Sequence, residues 1–219
     1  MKVLFLLVFP LFVSSQTMKS IVRQLPRECT PDLNNRQKET LLKNAFFEFS
    51  DADSLETIRY TLDTPVLKNY ISFGFDFTTG QSGFGNFELK RFKTVKGSDI
   101  IIFSKFGGAR WMYTQDTLKV FFVSNGKIIA YKEQTLLPQS IDVSEFLKKQ
   151  TPDSIRRVIE NSSNTYYSLN SEKPNQIEFN LSIPFMPEEL EKWLLGDSFI
   201  FTWNGKSFNR KLAFQIDSD

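Results

Sequence analysis

The stretch Ile71-Ser-Phe-Gly-Phe-Asp-Phe-Thr78 decides the fold class. Ile71, Phe73, Phe75 and Phe77 fall on one side of an extended chain, and Ser72, Gly74, Asp76 and Thr78 on the other. A period of two held over the whole stretch is that of a strand with one face in a core. Downstream, Gly80-Gln-Ser-Gly83 supplies a turn, and Phe87, Leu89, Phe92 and Val95 return with Lys and Arg interleaved. Asp99-Ile-Ile-Ile-Phe103 is a continuous apolar run, which predicts a central strand covered on both faces, ended by Gly107-Gly108. Between Leu118 and Tyr131, Val120-Phe-Phe-Val123 and Lys127-Ile-Ile-Ala-Tyr131 flank Ser124-Asn125-Gly126. Asn-Gly tolerates positive φ at both positions, so this segment predicts a type I′ hairpin. Asn204-Gly205 repeats the signal between Phe199, Phe201, Trp203 and Phe208, Leu212, Phe214, Ile216. A two-residue loop there would set Trp203 opposite Lys206 and Phe201 opposite Phe208.

Helices are expected around these strands. Thr30-Pro31-Asp32 is a helix start, and Leu33, Leu41, Leu42, Ala45 and Phe46 extend it over residues 31–47. Asp53-Ser-Leu-Glu56 reads as a capping-box variant opening a short helix through Tyr60. Asp142-Val-Ser-Glu145 and Thr151-Pro152-Asp153 predict two short helices, or one bent pair, across residues 143–160. Residues 161–176 are polar enough for a long loop with room for a short strand, and Ile177 to Ile183 alternates as another strand. Pro187-Glu188-Glu189 opens a helix stopped by Gly196. The expected architecture is α+β: a single domain on a largely antiparallel sheet of about eight strands, curved or barrel-like, with an N-terminal helix and short inserted helices.

The N-terminus carries an address. Met1-Lys2 is a positive n-region, Val3 to Val13 an apolar run broken by Pro10, and Ser14-Ser15-Gln16 a small polar end. This is a secretory signal pattern, with the cut expected before Gln16. The run falls well short of the ~20 residues needed to span a bilayer. Residues 1–15 therefore read as a signal peptide and 16–219 as one exported domain, periplasmic, surface-associated or secreted, with no transmembrane span in the mature chain. Loss of Lys2 leaves 26 basic residues against 25 acidic. So balanced a chain has no global field to attract nucleic acid, and none is expected as a partner.

The absence of His removes Ser-His-Asp and Cys-His hydrolysis and His-ligated zinc. One cysteine, Cys29, can neither close an intrachain disulfide nor build a thiolate cage; it is a buried inert thiol or an unpaired one. Gly205-Lys206-Ser207 lacks both the glycine five residues earlier and the helix that a phosphate loop needs. Asp51, Asp53 and Glu56 could ligate a hard cation, but helix capping accounts for Asp53 and Glu56. No metal site, cofactor or catalytic residue is expected. Asn161-Ser-Ser163 and Asn180-Leu-Ser182 match the glycosylation sequon.

What remains is a candidate recognition surface. Lys90, Arg91 and Lys93 interleave with Phe92, a pattern that fits an anionic partner or a Lys-protected edge strand. Arg110, Trp111 and Tyr113 follow the Gly107-Gly108 turn with the composition of a binding surface. The expected function is an exported, non-catalytic binding or interaction protein whose partner is a protein, a glycan or an apolar ligand. The alternatives are a carrier with a Phe-lined cavity and an Asp/Glu-based hydrolase. The 23 Phe residues, three of them in the signal segment, are mostly accounted for by alternating strand positions.

Overall fold

The run Ile100–Phe103 lies at the centre of the molecule, covered on both faces. A computed structural model describes residues 16–31, 33–50, 57–78, 83–109, 112–131, 136–169, 171–183 and 188–214. Its first sheet is an up-and-down meander in sequence order: β1 (Phe46–Ser50), β2 (Thr57–Leu62), β3 (Tyr70–Phe77), β4 (Phe84–Lys93), β5 (Asp99–Ala109), β6 (Met112–Ser124) and β7 (Lys127–Ala130). The second has the order β11-β10-β9-β8, built from β8 (Asn164–Ser168), β9 (Gln176–Ser182), β10 (Ser198–Trp203) and β11 (Phe208–Ala213). All strand pairs are antiparallel and neither sheet closes on itself, so the barrel alternative is not what forms. The helices are α1 (Met18–Gln24), α2 (Asn35–Asn44), α3 (Asp153–Ser162) and α4 (Glu188–Glu191).

Three layers follow from the period of two. On one face of the meander, Phe73, Phe87, Leu89, Ile101, Phe103 and Phe121 pack with Met18, Ile21 and Val22 of α1 and Leu41 and Leu42 of α2. On the other, Phe92, Ile100, Ile102, Leu118 and Val120 pack with Tyr167, Ile177, Phe179, Phe199, Phe201 and Trp203 of the second sheet. Alternate members of Ile100–Phe103 thus serve two cores, which is why the run shows no polar alternation. Each such buried side chain contributes about 1.5–3 kcal/mol.

Local chemistry sets the boundaries. At the β6–β7 turn Asn125 has φ 50° and Gly126 φ 73°, and Ser124 pairs with Lys127, as a type I′ turn requires. A Cβ at Gly126 would meet nothing within 4 Å, so Gly126→Ala reports backbone strain alone. The expected cost is about 1 kcal/mol in urea unfolding.

Several sequence expectations are corrected. The helix predicted over 31–47 begins at Asn35, because Asn34 and Gln37 form a reciprocal capping box at 3.0 and 2.8 Å. It ends at Asn44, where Ala45 turns left-handed, and Phe46 enters β1 instead. The helix expected through Tyr60 is replaced over Thr57–Tyr60 by β2, whose Tyr60 packs among Phe47, Phe49, Phe75 and Phe87; its opening residues lie outside those described. Gly107 and Gly108 continue β5 rather than ending it, since Gly107 lets the backbone of Phe84 approach within van der Waals range. The C-terminal hairpin pairs Trp203 with Phe208 and Phe201 with Arg210, two residues from the expected register. Asn204 accounts for the shift: its Oδ1 accepts from the N–H groups of Lys206 and Ser207, both at 2.9 Å, lengthening the loop. A slip of two keeps every side chain on its predicted face.

Candidate functional site

The second sheet covers only part of the meander. Its edge strand β8 contacts β5 and β6, and parts of β2, β3 and β4 on that side line an opening beside it. The step between the two sheets is a cleft of about 590 Å³. Thr61, Asp63, Gly74, Asp76 and Asn86 line its meander side, and Phe84, Phe106, Tyr113, Tyr166 and Ser168 its wall.

The aromatic wall is a packed group. Phe84 meets Tyr113 edge-on at 5.3 Å, Tyr113 meets Tyr166 at 5.2 Å, and Tyr166 meets Phe106 at 4.8 Å. A β-bulge places Tyr113 there. Lys105 pairs with Thr117 but Phe106 pairs with Gln115, so Asp116 is the extra residue and the alternation of β6 shifts by one. Tyr113 and Gln115 then face the second sheet, as Leu118 and Val120 do. Burial pushes the Tyr166 hydroxyl up to about 12, so it stays a neutral hydrogen-bonding group.

The floor is rich in acceptors. Asp63 and Asp76 are exposed, and Ser72 Oγ donates to Asp63 Oδ2 at 2.5 Å. Arg59 stands opposite Asp76 across β2–β3, but its Nε pairs with Glu48 at 2.6 Å. At the inner end Glu88 is buried: Oε1 accepts from Tyr70 Oη at 3.0 Å and Oε2 from the Leu169 N–H at 2.6 Å. Burial raises its pKa to about 7, and the Leu169, Tyr70 and Lys90 interactions partly oppose that rise.

Of the sequence candidates, the structure brings Tyr113 to the cleft and sends the basic residues elsewhere. Lys90 is fully buried; its Nζ donates to the carbonyls of Leu169, Lys173 and Gln176 at 2.7, 2.6 and 2.6 Å. Burial lowers its pKa to about 8. Three carbonyl acceptors match the three N–H groups of an ammonium, so the side chain is held charged. Arg91 is buried on the opposite face, donating from Nη2 to the Gln16 carbonyl. Lys93 is exposed at the end of β4. Because β4 lies between β3 and β5, the edge-strand explanation for this basic stretch does not hold. Arg110 and Trp111 lie outside the described residues, as do Asp51, Asp53 and Glu56.

Sequence reasoning missed the polar seam behind the cleft. Gln115 Oε1 accepts from the Tyr167 N–H at 2.6 Å, Ser104 Oγ donates to the Tyr167 carbonyl at 2.8 Å, and Gln115 Nε2 donates to Ser104 Oγ at 3.1 Å. With Glu88 and Lys90 on Leu169, these side chains occupy backbone groups along the outer edge of β8. The signal was present as polar residues at inward strand positions, but nothing local distinguishes such a residue from a solvated one. Elsewhere, Cys29 is buried with its thiol pushed up to about 11 by burial, an inert group. Asn180 is buried and accepts from Ser198 Oγ at 2.9 Å, so that sequon offers no accessible amide.

Fold and site define a two-sheet antiparallel α+β domain with an open cleft at the step between its sheets. No family model and no curated protein matches the chain. Among solved structures it is similar to a domain of an uncharacterized protein from Porphyromonas gingivalis W83, with a TM-score of 0.57 and 14% identity over 88% of this chain and 96% of that one. At that identity the likeness is one of fold.

Proposed function

We propose that the protein is exported and acts by binding, holding a hydroxyl- and amine-bearing glycan in the cleft between its sheets. The observation that carries this reading is the pairing of a four-ring aromatic wall with a floor whose charged members are carboxylates. Ring faces and edges suit the C–H surface of a sugar, while Asp63, Asp76 and Asn86 accept from hydroxyl or ammonium donors. Glu88 argues for binding over hydrolysis, since both its oxygens are already engaged by structural donors. Export is supported by the pattern of residues 1–15 and by the seating of Gln16. Its carbonyl accepts from Arg91 and its Nε2 donates to the Gly126 carbonyl at 3.1 Å, so a cut before it leaves a first residue with its own place in the fold.

Glucosamine oligomers are the probe, with their N-acetylated counterparts as the neutral control. Calorimetry should give tighter binding for the amine form, and Tyr166→Ala should weaken it about tenfold through loss of ring packing. Asp76→Asn should narrow the difference between the two probes. Equal affinity of both variants and the parent chain would remove the cleft as the site. Cell fractionation with N-terminal sequencing should find the chain beginning at Gln16 outside the cytoplasm; an intact cytoplasmic chain would overturn export alone.

A further inference from the structure

Strand pairing carries the floor of the cleft beyond its mouth. Phe46 pairs with Thr61, Thr61 with Gly74, Gly74 with Asn86 and Asn86 with Phe106, so these residues form one row across five strands. Directly paired residues share a face, and the last four line the cleft, so Phe46 stands on the cleft side of β1. Phe47 and Phe49 point the other way, into the core covered by α1 and α2, whereas Phe46 is 50% exposed and packs into neither core. The flanking rows are polar and bulkier. In one, Glu48, Arg59 and Asp76 stand side by side, with Arg59 Nε on Glu48 at 2.6 Å. In the other, Ser72 pairs with Glu88 and its Oγ donates to Asp63. Thr61 and Gly74 lie low between these rows, so a trough runs across the strands from Phe46 to the aromatic wall. Phe46 to Asn86 is three inter-strand steps of about 4.8 Å, or about 14 Å, and one further step reaches Phe106.

We infer that this trough is the track of a linear amino-sugar oligomer of at least three units, whose outermost ring stacks on Phe46. The inference rests on the reading of the cleft as a glycan site and adds the length and direction of the chain it takes. Two aromatic platforms stand at opposite ends of the track, and a ligand of one or two rings is too short to touch both. Between them the floor offers small and hydrogen-bonding side chains, which suit the hydroxyl groups of the middle unit. Glu48 and Arg59 offset each other, so the charge along the banks is that of Asp63 and Asp76, both exposed, and it complements ammonium groups on a chain lying between them. The chain crosses β4, β3, β2 and β1 in turn, at right angles to the strands.

Calorimetry with the glucosamine dimer and trimer tests the track on the parent chain, Phe46→Ala, Phe46→Trp and Tyr166→Ala. In the parent the trimer should bind about tenfold more tightly than the dimer, the gain from one further ring contact. In Phe46→Ala that ratio should fall below about twofold, and Phe46→Trp, which keeps a ring at the same place, should retain it. Tyr166→Ala, in the wall, should weaken dimer and trimer alike. Urea midpoints close to that of the parent, expected for an exposed position, show that the Phe46 variants are folded. Equal affinity of dimer and trimer for the parent, or an unchanged ratio in Phe46→Ala, would overturn the track and leave the cleft as a shorter site. A ratio lost in Phe46→Trp as well would overturn stacking as its cause. No binding by either oligomer would overturn the reading of the cleft and the track with it. Tighter binding of a lysine trimer than of the glucosamine trimer, weakened by Phe46→Ala, would assign the track to an extended basic peptide and overturn the sugar.

Discussion

Lys90→Met should cost about 3–5 kcal/mol in urea unfolding, the range for removing one member of a buried charged network. Met keeps most of the stem volume, so the loss reports the ammonium rather than a cavity. Without it the carbonyls of Leu169, Lys173 and Gln176 are left in the interior without this donor, at about 1–3 kcal/mol for each that finds no substitute. The first two carbonyls lie in the connection between β8 and β9 and the third on the first residue of β9, so the same change should loosen the wall of the cleft. Lys90→Arg should not rescue, because a planar fork does not fit three acceptors converging on one point. A cost below about 1 kcal/mol, the size of an exposed ion pair, would mean the connection is held by other groups.

The second large effect is a stability that rises on acidification. Glu88 has a folded-state pKa of about 7 against an ordinary 4.5, so between those values the native chain holds a proton that the unfolded chain has released. Stability from this group is therefore fully present below the unfolded pKa and is lost as pH rises through the folded one. A shift of that size corresponds to about 3 kcal/mol between pH 4.5 and pH 8. The change should appear as the difference between the parent chain and Glu88→Gln, which cancels the titration of other carboxylates. In the Lys90→Met background the Glu88 midpoint should move higher, since Lys90 is one of the interactions that lowers it. Parallel stability curves for parent and Glu88→Gln across this window would show that Glu88 does not titrate there.

These two residues also show where the sequence was readable. The α+β class, the period-two strand at Ile71–Phe77, the doubly covered Ile100–Phe103 and the Asn125-Gly126 turn all follow from local spacing, because burial on a pleated surface writes itself into alternation. Lys90 and Glu88 obey the same alternation, yet Lys90 and one carboxylate oxygen of Glu88 are held by backbone groups of residues 169–176, about eighty positions away. A lysine next to Arg91 in a basic run carries no local mark of that. The bulge at Asp116 is likewise set by pairing across β5–β6, and without it Tyr113 could not be assigned to the cleft. In the Asn204 loop the Asn side chain engages the N–H groups of Lys206 and Ser207 and the loop lengthens, whereas Asn125 turns to positive φ in a two-residue loop, a choice two similar dipeptides do not reveal. Of the proposed binding residues, Tyr113 was legible from composition. Asp63, Asp76 and Tyr166 needed the position of β8.

If the step between the two sheets is a ligand site, a sugar bound there must perturb both sheets at once. A titration of the chain with glucosamine oligomers, followed by amide chemical shifts, tests it most directly. Saturable shifts are expected at Asp76, Asn86, Tyr113, Tyr166 and Ser168, from β3, β4, β6 and β8 together, and none of comparable size around Lys68 and Arg91 on the opposite face. Unperturbed amides at these five positions, or shifts confined to the far face, would contradict it.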